Sequence, residues 1–473
     1  MKLSAFDRFT LSLAPEWTLK RLRARLVAES LRGYEAVPRG RRQSGWKRDE
    51  GDADSVIALA GAELRMHSRE LVRNNGWARR AMQIITNNVV GGWGIVPKAV
   101  GAEERDNAAA MTIWKAWADS KECDADGRKN FVGIQKAVMR AVIKDGEALV
   151  RRRYRFTSDG LTVPLQLQVL EADLLDTDKD GVFGPEGPIN LGIETNALGQ
   201  RVAYWLFSHH PGGGFASAES KRIPATDICH IFPEDRPGQN RGVSLFATAI
   251  LNLKDLDEYD DAELVKQKIA ACFTGFITDS DGLGTPLGDQ AEDDDTIEEF
   301  QPGLIKQLPA NKQITFTSPP NVTEGSFATR NLRRIAAGLG VTYEDLTGDY
   351  SQVNFSSARM GRLTHQAMVR DWQVGMLVPQ LCTDVWGWAM YAAQLSGKVR
   401  VPPASEWTVP PLPMIEPDKE GLAYSRLVRN GVMTFSEMVR EQGGDPAAHF
   451  AEYAADLKTL DSLIQLLGIC DGR

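Results

Sequence analysis

Cysteine is scarce in this sequence, and its few cysteines are far apart. The five (Cys123, Cys229, Cys272, Cys382 and Cys470) among 473 residues form no CxxC pair, which excludes a disulfide-stapled scaffold and reads as reduced thiols in a cytoplasmic setting. Long apolar runs are missing as well. The most apolar short stretch, Ile269 to Ile277, falls far below the ~20 residues a membrane span requires. Lys2, Asp7 and Arg8 interrupt the start, where a secretory leader would carry an apolar core. Neither a membrane partner nor secretion is expected. There is no excess of basic charge: 55 Lys and Arg against 63 Asp and Glu give a net charge of −8. A histone-like polycation is therefore excluded, although a nucleic-acid channel is not, because local distribution counts for more than the total.

Catalytic signatures are also lacking. The six histidines (His67, His209, His210, His230, His365 and His449) include no HExxH, and neither a GxxxxGK phosphate loop nor a GxSxG elbow occurs. Asp176, Asp178, Asp180 and Gly181 match the opening of a calcium loop, but Gly187 stands where its bidentate Glu belongs and Pro185 precedes it. A turn between strands is expected there. Cys229 and His230 would lie on opposite faces of a strand. Gly91, Gly92 and Gly94 lead into an extended segment rather than a helix N-terminus that could hold a phosphate. The carboxylate pairs Asp124/Asp126 and Asp260/Asp261 are expected on solvated faces. No catalytic residue, metal ligand or cofactor is assigned.

What is present is an ordinary globular composition, 42% hydrophobic and 25% charged, long enough for about three domains. Residues 1–80 carry 17 Lys and Arg against 10 Asp and Glu, so the chain opens with a basic arm. Apolar residues from Leu64 to Val89 recur at helical spacing, with Asn74-Asn75-Gly76 as a break between two helices. A helix carrying Trp114 and Trp117 follows, then a turn at 123–127, a helix over 131–141 and a strand over 147–154. Residues 163–232 alternate as short strands. The pattern predicts an α+β body.

Ser244 can cap a helix running to about Cys272, some 29 residues or about 43 Å long, too long for a small core alone. Nine acids and no Lys or Arg then lie between Lys268 and Lys306. A second helix over 327–339 sets Arg330 and Arg334 on one face and Leu332, Ile335, Ala336 and Leu339 on the other. A polar, turn-rich stretch over 347–357 precedes another long helix with Met368, Trp372 and Met376. Six prolines between Pro402 and Pro417 mark a boundary before a small helical module over 418–467.

An ordered set of local strings resembles the lambda-like family of tailed-bacteriophage portal proteins. The strings are LVRNNGWARRA (71–81), NNVVG (87–91), LEAD (170–173), RPGQNRGVS (236–244), AELVKQKIAAC (262–272), IAAGLGV (335–341), LTGD (346–349) and VNFSSAR (353–359). The resemblance covers roughly residues 55–450. It implies a virion component, a ring of usually twelve subunits at one capsid vertex, through which a separate terminase pumps double-stranded DNA that is later released. It implies no catalysis by this chain, and host cytoplasm as the place of assembly. The expected organisation is a basic arm (1–54), wing (55–243), first stem helix (244–272), clip (273–322), second stem helix (323–340), channel loop (341–358), wing return (359–417) and crown-like helical module (418–473). Tyr350, Ser351, Gln352, Val353, Asn354 and Phe355, with Arg330 and Arg334, would line the DNA channel. Asp289, Glu292, Asp293, Asp294 and Asp295 would face terminase and then head-completion proteins; capsid proteins are further partners. The alternatives are a metal-dependent nuclease using the acids at 289–299, and a ring adaptor that never contacts DNA.

Overall fold

The computed structural model describes residues 51–214, 219–271, 275–279, 312–316, 326–411, 414 and 416–466. The expected basic arm therefore lies outside the described residues up to position 50. The α+β expectation holds. Helix α1 (Ala53–Asn74) and helix α2 (Gly76–Val90) meet at Asn75, whose Oδ1 accepts the Ala78 N–H at 2.9 Å and caps α2. A short Asn side chain satisfies one of the first turn's otherwise unpaired donors. After the Gly91–Gly94 turn comes strand β1 (Val96–Val100), then helix α3 (Glu104–Ala118) and helix α4 (Phe131–Asp145). The last runs four residues further than its periodicity predicts, stopping where Gly146 takes φ +92°.

Strand β2 (Ala148–Tyr154) is central in an antiparallel sheet between β3 (Leu165–Leu170) and β9 (Ile228–Ile231). A second sheet runs in order through β4 (Val182–Phe183), β5 (Pro188–Asn190), β6 (Ile193–Thr195), β7 (Arg201–Phe207) and β8 (Ser220–Pro224). Leu149, Leu175, Ile193, Tyr204 and Leu206 form a small core under it. The calcium-like stretch is a connection between the two sheets. Asp176 accepts the Ser220 hydroxyl and Asp180 accepts the Leu191 N–H, so these carboxylates serve the turn.

The main core joins segments far apart in sequence. Trp114 packs tilted or edge-on within 5.1–6.2 Å, centroid to centroid, of Trp117, Phe131, Trp386 and Trp407. At ~25 cal/mol per Å² over about 200 Å², each buried indole contributes on the order of 5 kcal/mol before entropy is subtracted. Two of these indoles are hydrogen-bonded: Trp117 donates to Leu165 O and Trp386 to Pro403 O, both at 2.9 Å, whereas the buried Trp407 Nε1 finds no acceptor among the described residues. Trp407 belongs to strand β12 (Ala404–Thr408), which pairs antiparallel with β1. The proline cluster thus encloses a strand that returns the chain to its N-terminal elements.

The expectation for Asp124 is corrected. It is 1% exposed and accepts the backbone N–H groups of Arg128 and Lys129 at 3.1 and 3.0 Å; the turn's unpaired donors draw the carboxylate inward. Asp126, Asp260 and Asp261 are on the surface as expected.

Candidate stem and channel loop

The chain leaves the sheets through a buried ionic knot. Glu147, fully buried, accepts Arg241 Nε at 2.8 Å, His230 Nε2 at 3.0 Å, the Gly242 N–H at 2.9 Å and also Arg241 Nη2. Burial alone would raise the Glu147 carboxyl, but the Arg241 charge and the hydrogen bonds from His230 and Arg241 hold it well below the usual carboxylate range. Burial lowers His230 despite that neighbour. Close backbone approach makes the knot possible: a Cβ on Gly242 would sit 2.1 Å from Gly146 O.

Ser244 comes next, and here the structure corrects the sequence. Its Oγ accepts the Phe246 N–H at 3.2 Å, but it caps only a tight turn at Leu245–Thr248. The same hydroxyl bonds Ser68 Oγ at 2.7 Å and donates to Ile143 O at 3.2 Å. These contacts and buried Phe246 hold the turn against α1 and α4, so the continuous helix, α5, spans Ile250–Ala271, about 33 Å rather than 43 Å. Asn75 Nδ2 donates to both carboxylate oxygens of Asp257 at 2.8 and 2.9 Å, which fixes α5 to the α1–α2 elbow.

Ala249, Leu253 and Leu256 of this region are buried, yet none of Asp257–Lys268 is. Leu264 is 50% and Val265 53% exposed. Helix α6 (Ser326–Leu339) packs alongside the upper part of α5. Asn331 Nδ2 donates to Asn252 O at 3.0 Å, and Phe327 meets Tyr259 with ring centroids 4.7 Å apart. Leu332, Ile335, Ala336 and Leu339 are buried, while Arg330 and Arg334 lie on the exposed face. Between the two helices in sequence, strands β10 (Gly275–Asp279) and β11 (Lys312–Phe316) pair antiparallel. Asp289, Glu292, Asp293, Asp294 and Asp295 lie outside the described residues.

The stretch expected as a loop over 341–358 contains a short helix, α7 (Tyr343–Thr347). Thr342 Oγ1 caps it by accepting the Asp345 N–H at 3.1 Å, and buried Leu346 anchors it. The exposed loop is therefore only residues 348–354. Arg80 of α2 donates to Asp345 O at 2.9 Å at the loop's base, and Tyr350 OH reaches Asp345 Oδ1 at 3.4 Å. Hydrogen bonds from Ser351 lower the Asp349 carboxyl. Tyr350, Ser351, Gln352 and Asn354 are exposed and Val353 is half-buried. Phe355 opens helix α8 (Phe355–Arg370), and its side chain lies outside the described residues. A π-helical segment (Asp371–Cys382) continues it; its wider turns accommodate Pro379, which has no N–H to donate. Helix α9 (Thr383–Leu395) completes the run. Three further helices, α10 (Pro417–Arg429), α11 (Phe435–Glu441) and α12 (Pro446–Leu466), follow.

The structure gathers residues 350–354 into one loop and sets Arg330 and Arg334 together on a separate helix. Sequence reasoning passed over Arg80, Asp257 and the Glu147–Arg241 knot. Arg80 and Arg241 lie in strings that carry the resemblance, which was the available signal. For the nuclease alternative, Glu171, Asp173 and His210 are the one cluster of potential metal ligands among the described residues. Asp173 already faces the guanidiniums of Arg65 and Arg69, which compete with a cation.

The family profile described as phage portal protein, lambda family, matches residues 39–373. The "Probable portal protein" of Halomonas phage phiHAP-1 is 28% identical over 467 residues, covering 91% of this chain and 87% of the relative. "Portal protein B" of Escherichia phage lambda is 23% identical, covering 66% of each chain. The neck of an empty gene transfer agent particle contains a chain with TM-score 0.47 and 16% identity, covering 80% of this chain and 94% of that one. With the profile spanning well over half its length, this chain belongs to the lambda family of phage portal proteins.

Proposed function

We propose that the chain is one stave of a ring at a capsid vertex, a conduit through which double-stranded DNA enters during packaging and leaves on ejection. The observation that carries this reading is α5. Its buried face ends at Leu256 while the helix continues to Ala271, so its own fold leaves much of its length unburied, and neighbouring copies can cover it. In this reading α5 and α6 are the stem, the paired strands β10 and β11 belong to the clip that meets terminase and then head-completion proteins, and residues 348–354 project toward DNA.

The loop's chemistry suits a conduit. Residues 348–354 contain no Lys or Arg, so the loop adds none of the phosphate contacts that would make DNA stick in a salt-dependent way. The chain supplies geometry, while chemical work is left to terminase. Assembly takes place in the host cytoplasm, and the finished ring stays in the virion. A photocrosslinker at Tyr350 tests the conduit: crosslinks to DNA in filled particles, absent from empty ones, are expected. A ring that yields no crosslink from any position between 350 and 354 would instead be an adaptor that never contacts DNA.

A further inference from the structure

The α5–α6 hairpin carries opposite charge on its two outward faces. On α5, Leu251, Asp255, Glu258, Ala262 and Val265 follow one another at helical spacing, share one side and are all exposed. The helix holds six acids against Lys254, Lys266 and Lys268. On α6, Phe327, Arg330, Arg334 and Ala337 share the side opposite the buried row, and the helix holds three arginines and no acid. The exposed Lys254–Glu258 pair at 3.6 Å neutralises little, because surface pairs of this kind are weak.

The heights of these groups also match. The two helices run antiparallel, with Asn252 beside Asn331 and Tyr259 beside Phe327. Counting from those two rungs brackets the levels: Asp255 falls beside the turn 328–331, which holds Arg330, and Leu251 beside the turn 332–335, which holds Arg334. A rotation about an axis running along the helices changes no height. In a ring built by such rotation, the outward face of α5 on one copy therefore meets the outward face of α6 on the next at the same level, a heterologous contact that closes on itself.

We propose that Asp255 and Glu258 of one copy dock against Arg330 and Arg334 of the neighbouring copy, with Leu251 and Phe327 packed at the edges, and that this pairing sets the register of the ring. The proposal rests on the ring reading above and names its contact. It assigns the two arginines to a neighbouring protein surface and not to DNA. Arg330 also interacts within its own chain, so the neighbour's acids add to that interaction.

Charge reversal tests it on the full-length protein. Arg330→Glu with Arg334→Glu makes one variant, and Asp255→Lys with Glu258→Lys makes the other. Each alone should stay folded, with the parent's circular dichroism spectrum, since all four side chains are exposed, yet give no rings by native mass spectrometry. Mixed in equal amounts, the two should form rings with equal numbers of each variant, because only unlike neighbours now match. Rings formed by either variant alone, or no rings from the mixture, would overturn the pairing while leaving the ring reading intact. A parent protein that never forms rings would overturn both. Intact rings of the arginine variant that lose DNA packaging would return Arg330 and Arg334 to the channel wall.

Discussion

Asn75 does two jobs at once: its Oδ1 caps α2 while its Nδ2 binds both oxygens of Asp257 on α5. The α1–α2 elbow and the root of the long helix are thereby fixed by a single side chain that is 4% exposed. Asn75→Ala removes a cap and a charge-assisted hydrogen bond, so a loss of about 2–4 kcal/mol is expected in urea unfolding. Asn75→Asp keeps the cap but faces Asp257 with like charge, so it too should lose stability, and adding Asp257→Asn should restore much of that loss. A loss for Asn75→Asp that Asp257→Asn does not relieve would remove Asp257 from the account.

Glu147 and Arg241 make a second prediction. Glu147→Gln leaves a buried guanidinium without its counter-charge, which should cost about 3–5 kcal/mol. The pH dependence has a definite sign. His230 is lowered from 6.5 and Glu147 from 4.5 in the folded chain, so at falling pH the unfolded chain takes up protons that the folded chain refuses. Stability should be complete above about pH 6.5, begin to fall below it, and fall faster below about 4.5. Stability that rises on acidification through this window would contradict the knot as described.

The three described cysteines should be inert in the native state. Burial pushes the Cys123 thiol up to about 12, and it also raises Cys229 and Cys382. Since the thiolate is the nucleophile, alkylation at pH 8 should label none of the three until the protein is denatured. Fast native labelling of Cys382 would show that the core around it opens.

Much of this architecture could be read locally. The Asn74-Asn75-Gly76 break, the paired Trp114 and Trp117, and the arginine face of α6 each depend on spacing within one or two turns. Longer-range features could not be read this way. Strand β12 is marked by prolines in the sequence and becomes a strand only because β1, some 300 residues earlier, pairs with it. Leu245, Ala247 and Ala249 are good helix formers, and contacts of Ser244 with Ser68 and Ile143 override that preference. Residues 341–347 fall within the loop that the resemblance implies, yet form a helix because Leu346 finds a buried site. The exposed loop at 348–354 is legible as a polar stretch; Arg80, which holds its base, is not, because the contact spans 265 positions.

The exposed run of α5 carries a dynamic prediction. In an isolated subunit, amide hydrogen exchange over Asp260–Lys268 should be much faster than over Leu253–Leu256, because few apolar contacts oppose local opening. In the assembled protein, exchange over Asp260–Lys268 should slow by at least about tenfold. Equal exchange rates in the two states would mean that no neighbour covers this helix.

Electron micrographs of the purified full-length protein test the central claim most directly. The account predicts end-on views of a closed ring, about twelve subunits around a hole wide enough for a DNA duplex. A population that stays monomeric at every concentration would contradict it.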